Sequence, residues 1–149
     1  RDKRVLAIVE TDGCGADGVA VATDCYVGRR TLRVMDFGKV AATFVDTHSG
    51  SAARVAPAPD VRQRVQAYAL AAPSRWHAYL RGYQVMPDEE LLHVEQVRLI
   101  QPLAALLSRP HVRVRCAACG DEIMNEREVQ QGGRVLCRSC AGECYYAPL

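Results

Sequence analysis

The chain has 149 residues, with 19 Lys and Arg against 17 Asp and Glu and a formal net charge of +2. This near balance gives no electrostatic reason to bind nucleic acid, and we expect no nucleic-acid partner. Hydrophobic residues make up 49% of the chain and charged residues 24%, as in an ordinary globular protein. Because no apolar run approaches the roughly 18 residues of a membrane span, we also expect no membrane partner.

The first half of the chain predicts strands with one helix among them. The run Val5–Val9 is short, apolar and rich in β-branched residues, which favours a buried strand. The turn residues Asp12 and Gly13 then precede a segment with helical spacing. The predicted elements are a strand at 5–9, a helix at 14–23, two strands at 31–35 and 39–45 that form a hairpin, and a strand at 52–56.

The second half predicts mostly helices. Asp60 is expected to cap a helix that ends before Pro73. Further on, the patterns predict a short helix at 87–92, a strand at 94–100 and a helix at 102–107. The fold class is therefore α+β, with a mixed sheet and flanking helices. Residues 108–110 are the expected boundary between a core domain, 1–107, and a small domain, 112–149.

Four cysteines in the small domain have the spacing of zinc ligands. Two pairs, each of the form Cys-x2-Cys, are separated by 17 residues and comprise Cys116, Cys119, Cys137 and Cys140. Four thiolates close the coordination shell of Zn²⁺, so we expect a structural ion that folds the domain and performs no chemistry.

Two disulfides, or four ordinary buried thiols, are the alternatives for these cysteines. Both are less favoured, because two residues between paired cysteines are typical of a zinc knuckle. The chain has seven cysteines in total, and four in zinc spacing fit a reducing compartment better than a secreted scaffold. We therefore expect a cytoplasmic location.

Polar groups collect where the first strand meets the first helix. Glu10, Asp12, Cys14 and Asp17 lie within eight residues of one another. A thiolate at a helix N-terminus is stabilised by free backbone N–H groups, whereas nearby carboxylates favour the neutral thiol. Together the carboxylates and the sulfur could hold a second divalent metal. The alternative is that Asp12 only caps the helix and Cys14 is a small buried apolar residue.

Two other residues are candidates for the same core cleft. Lys39 follows a glycine at the start of a predicted strand, where its ammonium group could hold an anion or a carboxylate. Cys25 lies at the far end of the predicted helix from Cys14. A helix of ten residues separates its ends by about 15 Å, so the two sulfurs should not share one metal within one copy of the chain.

The order of these motifs resembles the formylmethanofuran dehydrogenase E-subunit family. The matching segments are Glu10-Thr-Asp-x-Cys14 with Asp17, Cys25-x2-Gly28, Asp36-Phe-Gly-Lys39-Val-Ala, Arg54-Val55 and the terminal pair of knuckles. The resemblance implies an α+β core with a treble-clef zinc finger and a polar cleft that can hold a metal. It also implies a homodimer, which the apolar segment 94–107 favours, and a molybdenum or tungsten oxidoreductase as partner.

The chain departs from the family pattern in two places. Family members carry an upstream His-x-His and Cys-Pro-Gly motif that contributes to the cleft. This sequence begins after that point, at Arg1, so we expect its N-terminus to be incomplete. Tyr26 follows Cys25 where the family commonly has Thr, and its larger ring could narrow the cleft.

Two functions follow as hypotheses. The first is a metal-binding accessory protein or subunit that is not itself the redox catalyst. The second is an independent enzyme or thiol-dependent carrier that uses Cys14 with Asp12 and Asp17. The chain has no nucleotide-binding fingerprint, phosphate-binding loop or zincin helix, and it identifies no catalytic residues. The first hypothesis is therefore favoured.

Overall fold

The computed structural model describes residues 4–107 and 111–147. The chain divides into two compact units, residues 1–103 and 104–149. The predicted linker at 108–110 lies outside the described residues. Among the described residues, none of the helices has the length and apolar character to cross a membrane.

The first unit is a five-stranded mixed sheet with helices, as the sequence predicts. Its elements in chain order are β1 (Val5–Val9), α1 (Cys14–Thr23), β2 (Leu32–Val34), β3 (Ala42–Asp46), β4 (Ala52–Pro57), α2 (Val61–Arg64), a 3₁₀ turn (Val65–Tyr68), α3 (Arg75–Val85), α4 (Asp88–Leu91), β5 (Leu92–Val97) and the start of α5 (Leu103–Leu107).

The strands lie in the order β2-β1-β3-β4-β5. β2 runs parallel to β1, and every other neighbouring pair is antiparallel. The predicted hairpin of the second and third strands is therefore wrong, because β2 and β3 lie on opposite sides of β1. The apolar strand β1 takes both as partners, which buries its residues from Leu6 to Val9.

Helix α1 covers one face of this sheet. Its small apolar residues pack against buried residues of three strands. The contacts join Ala16, Val19 and Ala20 of the helix to Ala7, Val9, Leu32 and Ala42 of the sheet. On the opposite face of the sheet, Leu6 and Val45 are fully buried.

The helices after β4 differ from the prediction. Asp60 adopts a left-handed conformation with φ of 57° and makes no side-chain cap, and α2 ends at Arg64. The chain tightens into the 3₁₀ turn, where Val65 is fully buried. Helix α3 has no counterpart among the predicted elements, although Ser74 caps it by accepting a hydrogen bond from the backbone N–H of His77.

In its described residues, the second unit contains the rest of α5 followed by two hairpins and a helical turn in the treble-clef arrangement. The hairpins pair β6 (Arg113–Arg115) with β7 (Glu122–Met124) and β8 (Val129–Gln131) with β9 (Arg134–Leu136). A helical turn, Ser139–Glu143, follows the second hairpin. Cys116, Ile123 and Leu136 form its small buried core.

Candidate metal centre and core cleft

Each cysteine pair lies directly after the strand that positions it. Cys116 follows β6, and Gly120 closes the first turn by donating its N–H to the Cys116 carbonyl at 3.0 Å. Gly120 has a φ of +81°, which only glycine adopts without strain. The second pair follows β9, and the backbone N–H of Cys140 lies 3.3 Å from the Cys137 sulfur.

The structure brings the four cysteines of the small domain together. Their Sγ atoms all lie within 4.8 Å of one another, and those of Cys119 and Cys137 are 3.9 Å apart. A Zn–S bond of about 2.3 Å in a tetrahedral site would separate two sulfurs by about 3.8 Å. The sulfur-only donor set and this spacing both fit Zn²⁺.

Backbone N–H groups also point at the sulfurs. Cys116 Sγ accepts hydrogen bonds from the N–H groups of Ala118 at 3.4 Å and Cys137 at 3.3 Å. Donors of this kind stabilise a thiolate rather than a thiol. The backbone N–H groups of the two knuckles therefore stabilise the thiolate form in which cysteines bind zinc.

The thiols of the cluster differ in pKa. Hydrogen bonds from the backbone N–H groups of Cys119, Cys137 and Ala118 lower the pKa of the Cys116 thiol to about 6. Hydrogen bonding to the sulfurs of Cys137 and Cys119 raises the pKa of the Cys140 thiol to about 12. Four neighbouring thiols cannot all ionise without a cation, so binding of a divalent metal must release protons.

Glu10 is held by an ion pair rather than left open in a cleft. Arg54 of β4 donates from Nε to Oε1 at 2.5 Å and from Nη2 to Oε2 at 2.9 Å. The hydrogen bond from Arg54 is the main cause that lowers the pKa of the Glu10 carboxyl, and the charge of Lys39 adds to it. Glu10 and Lys39, two of the predicted cleft residues, are therefore close enough to interact electrostatically, although the Lys39 side chain is exposed.

The alternative in which Asp12 caps α1 and Cys14 is buried does not describe this corner. Gly13 is the residue that precedes the helix, and no side chain caps it. Asp12, Cys14 and Asp17 are all exposed. Cys14 is the first residue of α1, so its sulfur lies at the N-terminal end of the helix.

Cys25 lies beyond the opposite end of α1 and is 2% exposed. Its thiol donates to the Val5 carbonyl at 3.5 Å. In the described ranges 4–107 and 111–147, the four finger cysteines form the one group of three or more His, Cys, Asp or Glu side chains whose ligand atoms converge. The predicted second metal in the core has no converging ligand set there.

An apolar groove of about 180 Å³ lies beside α1, and it was not predicted from the sequence. Residues of α1, β3 and β4 line it, together with Thr11 and Val40. A signal was present in the sequence, because Gly15 and Ala16 are too small to fill the space next to a sheet. Gly15, a lining residue, directly follows Cys14.

These observations define the class: an α+β protein that carries a four-cysteine zinc-binding module. The chain belongs to the family described as FmdE, molybdenum formylmethanofuran dehydrogenase operon, whose family model matches residues 1–93. Residues 110–146 match a second family model, the prokaryotic dksA/traR C4-type zinc finger.

Two relatives extend the comparison across the chain. A probable S-adenosyl-L-methionine-binding protein from Archaeoglobus fulgidus is 33% identical over 96% of this chain, which spans 42% of that relative's length. A crystal structure of a tungsten formylmethanofuran dehydrogenase FmdE-like protein from Syntrophus aciditrophicus is 26% identical. It superposes with a TM-score of 0.61, covering 96% of this chain and 74% of that one.

Proposed function

We propose that this chain is a metal-binding accessory protein in which one structural Zn²⁺ is held by Cys116, Cys119, Cys137 and Cys140. The observation that carries the proposal is the convergence of four sulfurs within 4.8 Å in a module that follows an FmdE core. Zinc bound to four thiolates has no open position, so the ion would fold residues 112–149 as a separate domain and leave recognition to the core, residues 1–107.

Elemental analysis of the purified protein tests the zinc. We expect one zinc per chain in the wild type and less than about a tenth of that in Cys137→Ser, because three thiolates bind zinc far more weakly than four. Cys144→Ser is the matched control, since Cys144 is a thiol of the same module outside the cluster. A wild type without zinc that keeps its finger folded would overturn the proposal.

The partner we propose is a molybdenum or tungsten oxidoreductase. Support comes from the family description and from the FmdE-like relative of the tungsten formylmethanofuran dehydrogenase. Sedimentation of the chain with purified catalytic subunits of formylmethanofuran dehydrogenase should give a complex. Surface substitutions in this chain that leave its zinc content unchanged should not prevent the complex, whereas substitutions that unfold its core should. Independent sedimentation of the two proteins at micromolar concentrations would rule this partner out.

The location we propose is the cytoplasm. All seven cysteines are free of disulfide bonds, which suits a reducing compartment.

Self-association into a homodimer is the third part of the proposal. It rests on the resemblance to the FmdE family and on apolar groups that remain on the surface of the segment 94–107. Val94 is 57% exposed and Ile100 is 96% exposed. Exposed apolar surface of this kind is typical of interfaces between copies.

A thiol-dependent role of the core is the second candidate function. The observation that favours it is the exposed Cys14 at the N-terminal end of α1, next to the groove that begins at Gly15. Asp12 and Asp17 would then set the charge around the thiol. Because the Archaeoglobus relative is named for S-adenosyl-L-methionine, this compound is the first ligand to test in the groove.

Alkylation followed by peptide mass mapping tests this second function. We expect iodoacetamide to modify Cys14 at least tenfold faster than Cys25, which is 2% exposed. Exposed Cys144 is the control for simple accessibility. A groove ligand, with S-adenosyl-L-methionine as the probe, should slow modification of Cys14 and leave Cys144 unchanged. Equal protection of both thiols, or of neither, would reject the candidate.

A further inference from the structure

Strand β5 is an open edge of the sheet. In the part of the chain that the structure describes, β5 pairs only with β4 and ends the sheet order. Five of its six residues are exposed, and Val94 is 57% exposed. Natural edge strands are usually protected by proline, lysine or a bulge. β5 contains neither proline nor lysine, and its six pairs with β4 run without a bulge.

The pairing with β4 determines which backbone groups of β5 are free. Ala58 donates its N–H to the Leu91 carbonyl at 2.9 Å, so by alternation residues 93, 95 and 97 direct their backbone groups toward β4. Pro57, which has no N–H, lies opposite Leu92, at a position where none is needed. Val94 and Gln96 therefore direct both their N–H and C=O groups outward, whereas Leu92 offers only its C=O, because its N–H donates to the Asp88 carbonyl at the end of α4.

These outward groups match a second copy of the same strand. In an antiparallel pair, residues that exchange hydrogen bonds must face each other. With a two-fold axis at Val94, that residue lies opposite the partner's Val94, and Leu92 lies opposite the partner's Gln96. The Val94 pair then forms two backbone hydrogen bonds, and each Gln96 N–H donates to the partner's Leu92 carbonyl, giving about four across the junction.

Charge selects the same register. His93 and Glu95 lie on one face of β5, and their side chains are 55% and 50% exposed, with His93 Nε2 3.0 Å from Glu95 Oε1. In the register centred on Val94, His93 lies opposite the partner's Glu95 in a pair without backbone hydrogen bonds, where side chains are closest. A shift by two residues in one direction places two glutamates opposite each other, which is unfavourable, and a shift in the other direction replaces both His93–Glu95 pairs.

We propose that a second copy of this chain pairs with β5 along its free edge, antiparallel and centred on Val94. The pairing joins two five-stranded sheets into a continuous sheet of ten strands. Val94 meets the partner's Val94 on one face, and the His93 and Glu95 side chains alternate with their counterparts on the other. This inference rests on the proposed homodimer and assigns its surface and register.

Proline substitution at an outward position tests the surface. Val94→Pro removes an N–H that β4 does not use, and with it two central hydrogen bonds of the dimer. At about 1 kcal/mol per bond, the dimer dissociation constant should rise about 30-fold in sedimentation equilibrium. Val34→Pro is the matched control: Val34 lies on the other edge strand, β2, is 45% exposed, and should leave the dissociation constant unchanged.

A disulfide scan tests the register. In a Cys14→Ser, Cys144→Ser background with zinc present, Val94→Cys places two sulfurs on Cα atoms about 5.5 Å apart, within disulfide range. Mild oxidation should yield a covalent dimer. Gln96→Cys is the control, because the two residues 96 would lie about 14 Å apart along the strands and cannot be bridged.

The outcomes separate this inference from the homodimer itself. A monomeric wild type at high concentration overturns both. A stable dimer that Val94→Pro does not weaken, or that crosslinks through Gln96→Cys but not Val94→Cys, leaves the homodimer standing and overturns the β5 junction or its register.

Discussion

At the scale of single residues, the Glu10–Arg54 ion pair should make the stability of the core depend on pH. The Glu10 side chain is 12% exposed and that of Arg54 27%, and the two join the end of β1 to β4 across β3. A carboxylate at this depth needs a partner to offset its loss of hydration. Arg54 supplies two hydrogen bonds in the planar geometry that suits a carboxylate.

We expect Glu10→Gln to destabilise the core by about 2 to 3 kcal/mol at pH 7, somewhat less than the loss of one partner in a fully buried pair. The pKa of Glu10 is lowered below its ordinary value of 4.5 in the folded protein. Its stabilising contribution is therefore complete above pH 4.5 and is lost as pH falls through the lower, folded pKa. The difference between the two proteins should shrink in that acidic range.

Denaturant unfolding followed by the fluorescence of the single tryptophan, Trp76, measures this difference in the core. Asp17→Asn, which changes an exposed carboxylate of the same region, is the control and should stay within about 0.5 kcal/mol of wild type. A pH-independent difference for Glu10→Gln would contradict the ion pair as its cause.

The zinc site and the core cleft differ in how well they can be predicted from the sequence. The finger cysteines are predictable because ligand type and spacing within two short turns already define a tetrahedral site. The role of Glu10 is not, because its partner lies 44 residues away and meets it only through the register of three strands. The functional roles predicted for Asp12, Cys14, Asp17, Cys25 and Lys39 stay predictions.

At the scale of elements, the apolar patterns predicted the five strands of the first unit but not which strands pair with each other. A short connection between two strand-like segments favours a hairpin, yet β2 and β3 both pair with β1. The local sequence pattern around β2 and β3 cannot predict this pairing, because their shared partner, β1, lies more than 20 residues upstream of β2. Helix α3 was missed for another reason: its buried face consists of Ala78, Gly82 and two half-buried tyrosines, while Trp76, Leu80 and Val85 are exposed, so its apolar residues do not follow a clear helical period.

Glycine substitutions in two helices should have opposite effects. A Cβ on Gly82 of α3 would lie 2.5 Å from Val65 Cγ2 and 2.7 Å from the Val65 carbonyl oxygen. We expect Gly82→Ala to destabilise the core by about 1 to 3 kcal/mol. A Cβ on Gly18 of α1 meets nothing within 4 Å, so Gly18→Ala should stabilise by about 0.5 to 1 kcal/mol.

Thermal unfolding of both variants, monitored at Trp76, decides between packing and propensity. If helix propensity alone governed these sites, both variants would gain stability. A Gly82→Ala variant as stable as Gly18→Ala would mean that α3 can move away from the 3₁₀ turn at little cost.

At the scale of the whole molecule, the two units should lose their structure under different conditions. Among the described residues of the finger, the buried core consists of Cys116, Ile123 and Leu136, which is too small to fold the domain without metal. We expect the sheet of the first unit to fold without metal, because β1 to β5 bury a larger apolar core. We expect a strong chelator to unfold the finger while Trp76 fluorescence in α3 stays unchanged, and added zinc to restore the finger.

Amide NMR spectra before and after chelation measure both units at once. Resonances of residues 113–143 should collapse to unfolded positions, and those of β1 to β5 should keep theirs. Magnesium added in place of zinc is the control and should restore nothing, because thiolates are poor ligands for it. Simultaneous loss of the core resonances would contradict independent folding of the two units.

The position of β1 between β2 and β3 also constrains the order of events during synthesis. Its five residues, Val5–Val9, leave the ribosome before their partner strands, which follow only at residues 32–34 and 42–46. Until Asp46 has emerged, an apolar, β-branched segment has at least one unpaired edge, the arrangement that promotes association between nascent chains. A chain that terminates before β3 therefore keeps an unpaired edge on β1 and is prone to aggregate, and holdase chaperones should engage the nascent chain before Asp46 emerges.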